Sequence, residues 1–433
     1  MVKPPFTGVF IMLRIFSGRF LSGAVRLLLP AVLLCARAAL WGQTVVFWQP
    51  GFPTADSVTP DAAGLHAAFP GAEFADASQL GTALSAPDTD LLVLPYGSAW
   101  PEADWPAILE YLDRGGNLIV LGGKAFTRAG YQDASGWHLR PPSVAQTLEL
   151  FIDGYQRTPG GHPGMPENRG GDTTRFMANP DVFPALPGFA WTRAFSPVVR
   201  LSVVDPDQTG GHTGYEDMDL TTLAWGVRGG HKLAAPVIEL DHNANRFVGG
   251  RWILVVCEPN EGFFSNTELL KTLAMLAVRN GDRFTFRPSL PLYVPGEALE
   301  FQYTPMPTLS PTTDDKGGAP GTGDMLHVQV TTEDGAVHYD MTMLADAAHP
   351  VTLPQSAAEG NGLHTVRATL ERDGQPLRTY LSGFWMRATG YLASGPKLTT
   401  GHDYFQLDGK PMPVVGTTYM SGDVSRMYLL KPN

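Results

Sequence analysis

Apolar positions along this chain follow three successive rhythms. Between residues 44 and 280, short apolar runs at 45–48, 91–94 and 118–121 read as strands, strands return at 236–240 and 251–256, and they alternate with helical spacing at 59–69, 103–114 and 265–279. Pro60 suits the first turn of the first helix. Trp105, Ile108, Leu109 and Leu112 line one side of the second, which Gly115-Gly116 ends, and Leu269, Leu273, Leu276 and Ala277 line the third. Continuous apolar strands joined by helices predict a parallel sheet covered on both faces. From 284 to 387 the pattern becomes strands alone: 326–331 alternates strictly, and Asp334-Gly335 and Asp373-Gly374 are hairpin turns, which predicts a β-sandwich of about one hundred residues. Near the C-terminus, Tyr404, Phe405 and Leu407 face Met412, Val414 and Val415 across Asp408-Gly409, a hairpin whose turn residues tolerate positive φ.

The segment DLLVLPYGSAWPEADWPAILEYLDRGGNLIVLGG, residues 90–123, resembles the class I glutamine-amidotransferase-like domains that accompany many microbial β-galactosidases. The resemblance implies a flavodoxin-like α/β domain over 43–283. Catalytic members of that superfamily carry a cysteine in a Gly-x-Cys-x-Gly elbow after such a strand. Here the turn reads Gly122-Gly123-Lys124-Ala125, so amidase activity is not expected. A Gly/Pro-rich insertion of roughly 130–222 has too little apolar periodicity for a core of its own and should pack against the α/β body, a neighbouring domain or another subunit. The resemblance also implies a homo-oligomer. Pro295-Gly296-Glu297 resembles the opening of immunoglobulin-like modules that lead into glycosidase barrels, which makes 284–390 an immunoglobulin-like sandwich.

HDYFQLDGKPMPVVGTTY, residues 402–419, resembles the opening of a clan A (β/α)8 glycoside hydrolase, where a short hairpin precedes the first barrel strand. On the residues alone, an ordinary terminal hairpin is the competing reading. The resemblance implies that 391–433 is a linker followed by the start of a TIM barrel. Retaining glycosidases need two carboxylates about 5 Å apart, projecting from the carboxyl ends of barrel strands. In clan A these are glutamates after the fourth and seventh strands, so no catalytic residue is expected here.

The first 42 residues read as a signal peptide. Lys3, Arg14, Arg19 and Arg26 precede an apolar run at 27–34, and Ala36, Ala38 and Ala39 lead to Gly42. Pro30 and Arg37 interrupt any membrane span, which needs about 20 apolar residues. Export to the periplasm or medium is expected, with no membrane association after cleavage. Removing this segment takes away five basic and no acidic residues and moves the formal charge from −11 to −16. Such a charge opposes nucleic acid and anionic lipid as partners. Of the two cysteines only Cys257 remains, so stability must come from packed cores rather than a disulfide.

Candidate chemistry is sparse. Asp205, Asp207, Asp217 and Asp219 could offer oxygen ligands to Ca²⁺, but their spacing misses the EF-hand pattern and a solvated loop competes. His242, in Asp241-His242-Asn243, follows a strand and could stand at a carboxyl sheet edge, against the alternative of an Asx-rich turn. Trp137 and Tyr155 could stack on sugar rings, although most such side chains are core. Gly122-Gly123-Lys124 lacks the rest of a phosphate-loop motif, and no HExxH occurs. No cofactor is implied. Together these features predict the non-catalytic N-terminal portion of an exported β-galactosidase-like glycoside hydrolase, contributing to assembly and to the shape of a carbohydrate cleft. The alternative is a stand-alone secreted carbohydrate-binding or interaction protein.

Overall fold

Strands dominate the computed structural model, which describes residues 43–157, 174–200, 218–243, 246–279, 281–306, 323–387, 390, 397–401 and 404–413. The first fourteen strands are β1 (Gln43–Phe47), β2 (Glu73–Ala75), β3 (Thr89–Leu94), β4 (Ala99–Pro101), β5 (Asn117–Val120), β6 (Arg128–Asp133), β7 (Gly136–Leu139), β8 (Ile152–Arg157), β9 (Arg175–Ala178), β10 (Trp191–Val199), β11 (Met218–Arg228), β12 (His231–His242), β13 (Arg251–Val255) and β14 (Cys257–Pro259). Eight of them form one sheet in the order β2-β1-β3-β5-β13-β12-β11-β9. It is parallel from β2 to β13 and antiparallel from β13 to β9, so the expected parallel sheet covers only its first five strands. The cause is connection length. Residues 243–250 between β12 and β13, and the turn Gly229-Gly230 between β11 and β12, are too short for a parallel crossover.

Alternation along the buried parallel strands builds two cores. Val45, Leu92, Leu94, Leu118, Val120 and Leu254 face one side, where the helices Leu80–Ser85 and Trp105–Asp113 bury Leu80, Leu84, Ile108 and Leu112. Val46, Leu91, Val93, Ile119, Ile253 and Val255 face the other, under the helices Ala62–Ala68 and Thr267–Val278. The first of these starts later than its periodicity predicts because Asp61 caps it, accepting from the backbone of Ala63 and Gly64 at 3.2 and 3.1 Å. The described parts of the insertion join these cores. Leu150 and Ile152 enter one, Trp191 and Ala194 the other, while β9 extends the main sheet and β10 pairs with β8 and β14.

The next eight strands are β15 (Phe284–Pro288), β16 (Leu292–Tyr293), β17 (Leu299–Pro305), β18 (Met325–Thr332), β19 (Val337–Leu344), β20 (His349–Leu353), β21 (Gly362–Arg372) and β22 (Gln375–Met386). They make two sheets, β15-β17-β20 and β16-β22-β21-β18-β19. Phe286, Phe301 and Tyr303 from one pack with Leu326, Val328, Val330, Val366 and Phe384 from the other in a single core. Finally β23 (Leu398–Thr400), β24 (Phe405–Leu407) and β25 (Lys410–Met412) form a small antiparallel sheet. Asp408 and Gly409 turn between the last two with φ of 49° and 78°, as the Asp-Gly pair requires. The expected barrel strand at 414–419 lies outside the described residues.

Two contacts join the eight-stranded sheet to the pair of sheets that follows it. The segment around Asp181 runs along β22: Thr379 donates to the Asp181 carbonyl at 2.9 Å, Phe183 donates to that of Leu377 at 3.4 Å, and Arg367 pairs with the Asp181 carboxylate. Beside it lies a buried cluster of four guanidinium groups, Arg251, Arg279, Arg283 and Arg378, and three carboxylates, Glu239, Asp241 and Asp282. Arg378 reaches from β22 into the sheet and donates to Glu239 at 2.6 Å and Asp282 at 3.2 Å.

Candidate functional site at the carboxyl edge of the parallel strands

In open α/β sheets, ligand sites form beyond the carboxyl ends of the strands. Here that edge collects the segments after β1, β3, β5 and β13. Asp56, following β1, holds a left-handed φ of 52°, a conformation uncommon for a residue other than glycine. Its carboxylate accepts the Ser98 hydroxyl at 2.6 Å, and Ser98 in turn accepts the backbone N–H of Lys124 at 2.7 Å. The Lys124 ammonium stands 3.4 Å from the same carboxylate and 5.1 Å from the centre of the Phe195 ring. Three strand ends are thereby tied together.

Glycine at position 123 is a steric requirement. Its φ is 74°, and a Cβ there would lie 2.5 Å from both the nitrogen and the hydroxyl of Ser98. The backbone N–H of Gly123 donates to the Cys257 carbonyl at 2.6 Å, which joins the turn to the end of β13. This sharp turn carries Lys124, with neither cysteine nor serine between Gly122 and Ala125. Ser98 is completely buried and its one proton is committed to Asp56. Cys257 is also buried, and burial pushes its thiol well above the usual range, with Glu258 adding to the effect. Neither Ser98 nor Cys257 presents an activated nucleophile to solvent.

An open cleft of about 450 Å³ adjoins this set, lined by Ser57, Thr192, Glu258, Asn260 and Glu261 among others. Ser57 donates to the Leu121 carbonyl at 3.3 Å, and Arg193 holds Glu258 at 3.0 Å. The lining offers hydrogen-bonding groups to a polar ligand.

Of the candidates read from the sequence, Trp137 and Tyr155 pack against this edge, and His242 and Asp219 do not. Trp137, on the β6–β7 hairpin, packs edge-on against Phe52 at 5.0 Å, and Phe52 sits against Phe47 and Tyr96. Tyr155 comes nearest, donating to the Ala125 carbonyl at 3.3 Å and so bracing the turn after β5. Burial pushes its phenol upward. His242 lies at the opposite end. Because β12 runs antiparallel, its last residues sit beside the amino ends of β5 and β13, with Asp241 across from Arg251. There His242 packs on Trp252 at 4.0 Å, and burial, with the Arg283 charge, pushes its pKa down to about 3. It is a neutral imidazole in the core. Asp219 shares that end and accepts from Asn243 at 2.8 Å. Asp205, Asp207 and Asp217 lie outside the described residues, and among the described residues no group of three or more His, Cys, Asp or Glu side chains is arranged to hold a metal ion.

Sequence reasoning missed Asp56 and Ser98, which carry no local signature. It also missed the buried charge cluster, for which there was a signal: Arg251 opens a strand that is otherwise fully apolar, and a charge in such a position calls for a partner.

Similar solved structures include β-galactosidases. That of Bacillus circulans sp. alkalophilus is 9% identical with a TM-score of 0.29, covering 72% of this chain and 41% of its own. That of Rahnella sp. R3 is 9% identical with a TM-score of 0.29, covering 74% and 43%. The GH42 enzyme Gan42B is 8% identical with a TM-score of 0.28, covering 79% and 39%. The chain thus spans about two-fifths of the length of these structures. No family model and no curated protein matches it.

Proposed function

We propose that this chain is the non-catalytic N-terminal portion of an exported β-galactosidase-like glycoside hydrolase. In this reading an amidotransferase-like α/β domain and an immunoglobulin-like sandwich support a (β/α)8 barrel and help shape its carbohydrate cleft. The observation that carries it is the turn after β5, where Gly122, Gly123 and Lys124 are closed down by Ser98 and Asp56 into a brace instead of an elbow nucleophile. The Asp408-Gly409 hairpin supports the same reading, since its sequence resembles the one that leads into a clan A barrel. The test is to assay aryl β-galactoside hydrolysis and glutaminase activity with this chain alone and with the chain continued by its downstream coding sequence. Only the longer protein should hydrolyse the galactoside, and neither should release ammonia from glutamine. Turnover by the short chain, lost on Lys124→Ala, would overturn the proposal. For export, the mature N-terminus recovered from a periplasmic or culture fraction should follow Gly42.

One observation favours the alternative of a stand-alone carbohydrate-binding protein. Trp385 is 45% exposed on the outer face of the five-stranded sheet, in register with Leu363 and Leu292 on the neighbouring strands. An exposed indole on a flat strand face can stack on a sugar ring. Retardation of the chain in polysaccharide gels, abolished by Trp385→Ala, would support that reading.

A further inference from the structure

β19 ends the five-stranded sheet, and among the described residues no strand pairs with its outer edge. Proteins usually guard such edges with lysine, proline or a short strand. β19 has eight residues, VHYDMTML, with none of those guards. Its register with β18 sets Tyr339, Met341 and Met343 opposite Val330, Val328 and Leu326, all core residues. Tyr339 and Met343 pack against that core, whereas Met341 remains 54% exposed; Val337 and Leu344, exposed to similar degrees, stand opposite Thr331 and Met325 on the outer face. The one-turn helix Gln355–Ala358 adds Ala357 and Ala358 to the core without covering these three.

We propose that β19 pairs antiparallel with β19 of a second copy of this chain, about a two-fold axis at Met341. In this register Met341 meets Met341 of the second copy, Tyr339 meets Met343, and the inner faces of both sheets stay on one side of a continuous ten-stranded sheet. Charge placement selects the same register. Asp340 is the one carboxylate of the strand, and His327 and Gln329 of its own chain already hold it at 2.6 and 3.1 Å. Centred on Met341, the pairing sets Asp340 opposite Thr342, so no like charges face each other. A slip of one residue would set Asp340 against Met341 and turn the apolar row of one copy to the solvent face. A foreign strand could satisfy the same backbone groups, but the apolar row and its charge placement match their own reverse.

The test uses site-specific crosslinking in the full chain carrying Cys35→Ser, which leaves the buried Cys257 as the only native thiol. Directly opposed residues on paired strands have Cβ atoms roughly 4.5–5.5 Å apart, close to disulfide range. Met341→Cys should form a disulfide-linked dimer under mild oxidation, and Met343→Cys, which faces Tyr339, should not. Sedimentation velocity should show a concentration-dependent dimer for the parent chain and a folded monomer for Met341→Lys. A parent chain that stays monomeric at the highest concentration it tolerates, or equal crosslinking at both cysteine positions, would overturn the proposal. A β19 edge reserved for a foreign strand would give the first of those results.

Discussion

Replacing Arg378 by methionine tests the buried junction most directly. The substitution keeps much of the apolar stem and removes the guanidinium that donates to Glu239 and Asp282. Asp282 retains Arg251 and Arg279 at 2.8 Å each. Glu239 is completely buried and is left with Arg251 at 3.8 Å. Removing one partner from a buried pair costs about 3–5 kcal/mol, because the other charge stays behind without compensation. Burial already raises the Glu239 pKa above its usual 4.5, an effect that the Arg378 and Arg251 charges oppose. Without Arg378 it rises further, and the carboxyl group takes up a proton in the folded state. The loss of stability should therefore be full above the variant's folded pKa, shrink as pH falls, and be smallest below the parent's folded pKa, which itself lies above 4.5. Urea unfolding from pH 4 to 8, followed by calorimetry, should show this pH dependence. It should also show the α/β layers and the sandwich melting apart, since Arg378 spans them. Glu239→Gln in the same chain should recover most of the loss. A penalty below about 1 kcal/mol at neutral pH, or a double variant no more stable than the single, would refute the reasoning.

Asp90 is buried at the start of β3, bonded to Asn117 at 3.1 Å, and burial pushes its pKa up to about 6. Asp90→Asn should therefore stabilise the fold by up to about 3 kcal/mol above pH 6 and by nothing below about pH 4, as read from urea midpoints at the two pH values. Gly123→Ala should destabilise by roughly 2 kcal/mol or more, because it combines positive φ with the contact at Ser98; an unchanged melting temperature would argue against the brace. Cys257 should resist a thiol reagent in the folded protein and react at once in urea, with reaction rates separating the two.

Much of the secondary structure was legible in the sequence. The strands near 91–94, 118–121 and 252–256 announce themselves as unbroken apolar runs because both faces of that sheet are covered, and the alternation at 326–331 marks a strand with one face on a core. The helix starts were less legible. Asp61 and Asn266 each cap a helix after the first residue that fits its periodicity, since capping depends on a side chain folding back on the backbone.

Strand direction was the main reading that local pattern could not supply. An apolar run looks the same whether its strand is parallel or antiparallel, and the direction of β12 alone moves His242 from the expected carboxyl edge to the amino edge, among Trp252 and Phe247. The Asp56–Ser98–Lys124 brace likewise needs three strand ends brought together from distant positions in sequence.

The sequence by itself determined the strands near 91–94, 118–121 and 326–331, the Asp-Gly turns, the acidic balance of charge and the absence of a thiol at the turn after β5, whereas the strands within 130–222 carried no such signal. The legible features follow from side-chain size, charge and spacing over a few neighbouring residues. Only the tertiary structure decided which charges are buried together and which edge strand is left unpaired among the described residues. Arg251 meets Asp282 and Arg378 meets Glu239 through contacts between separate layers, and pairing at such separations depends on the packing of whole sheets rather than on any local preference of the chain.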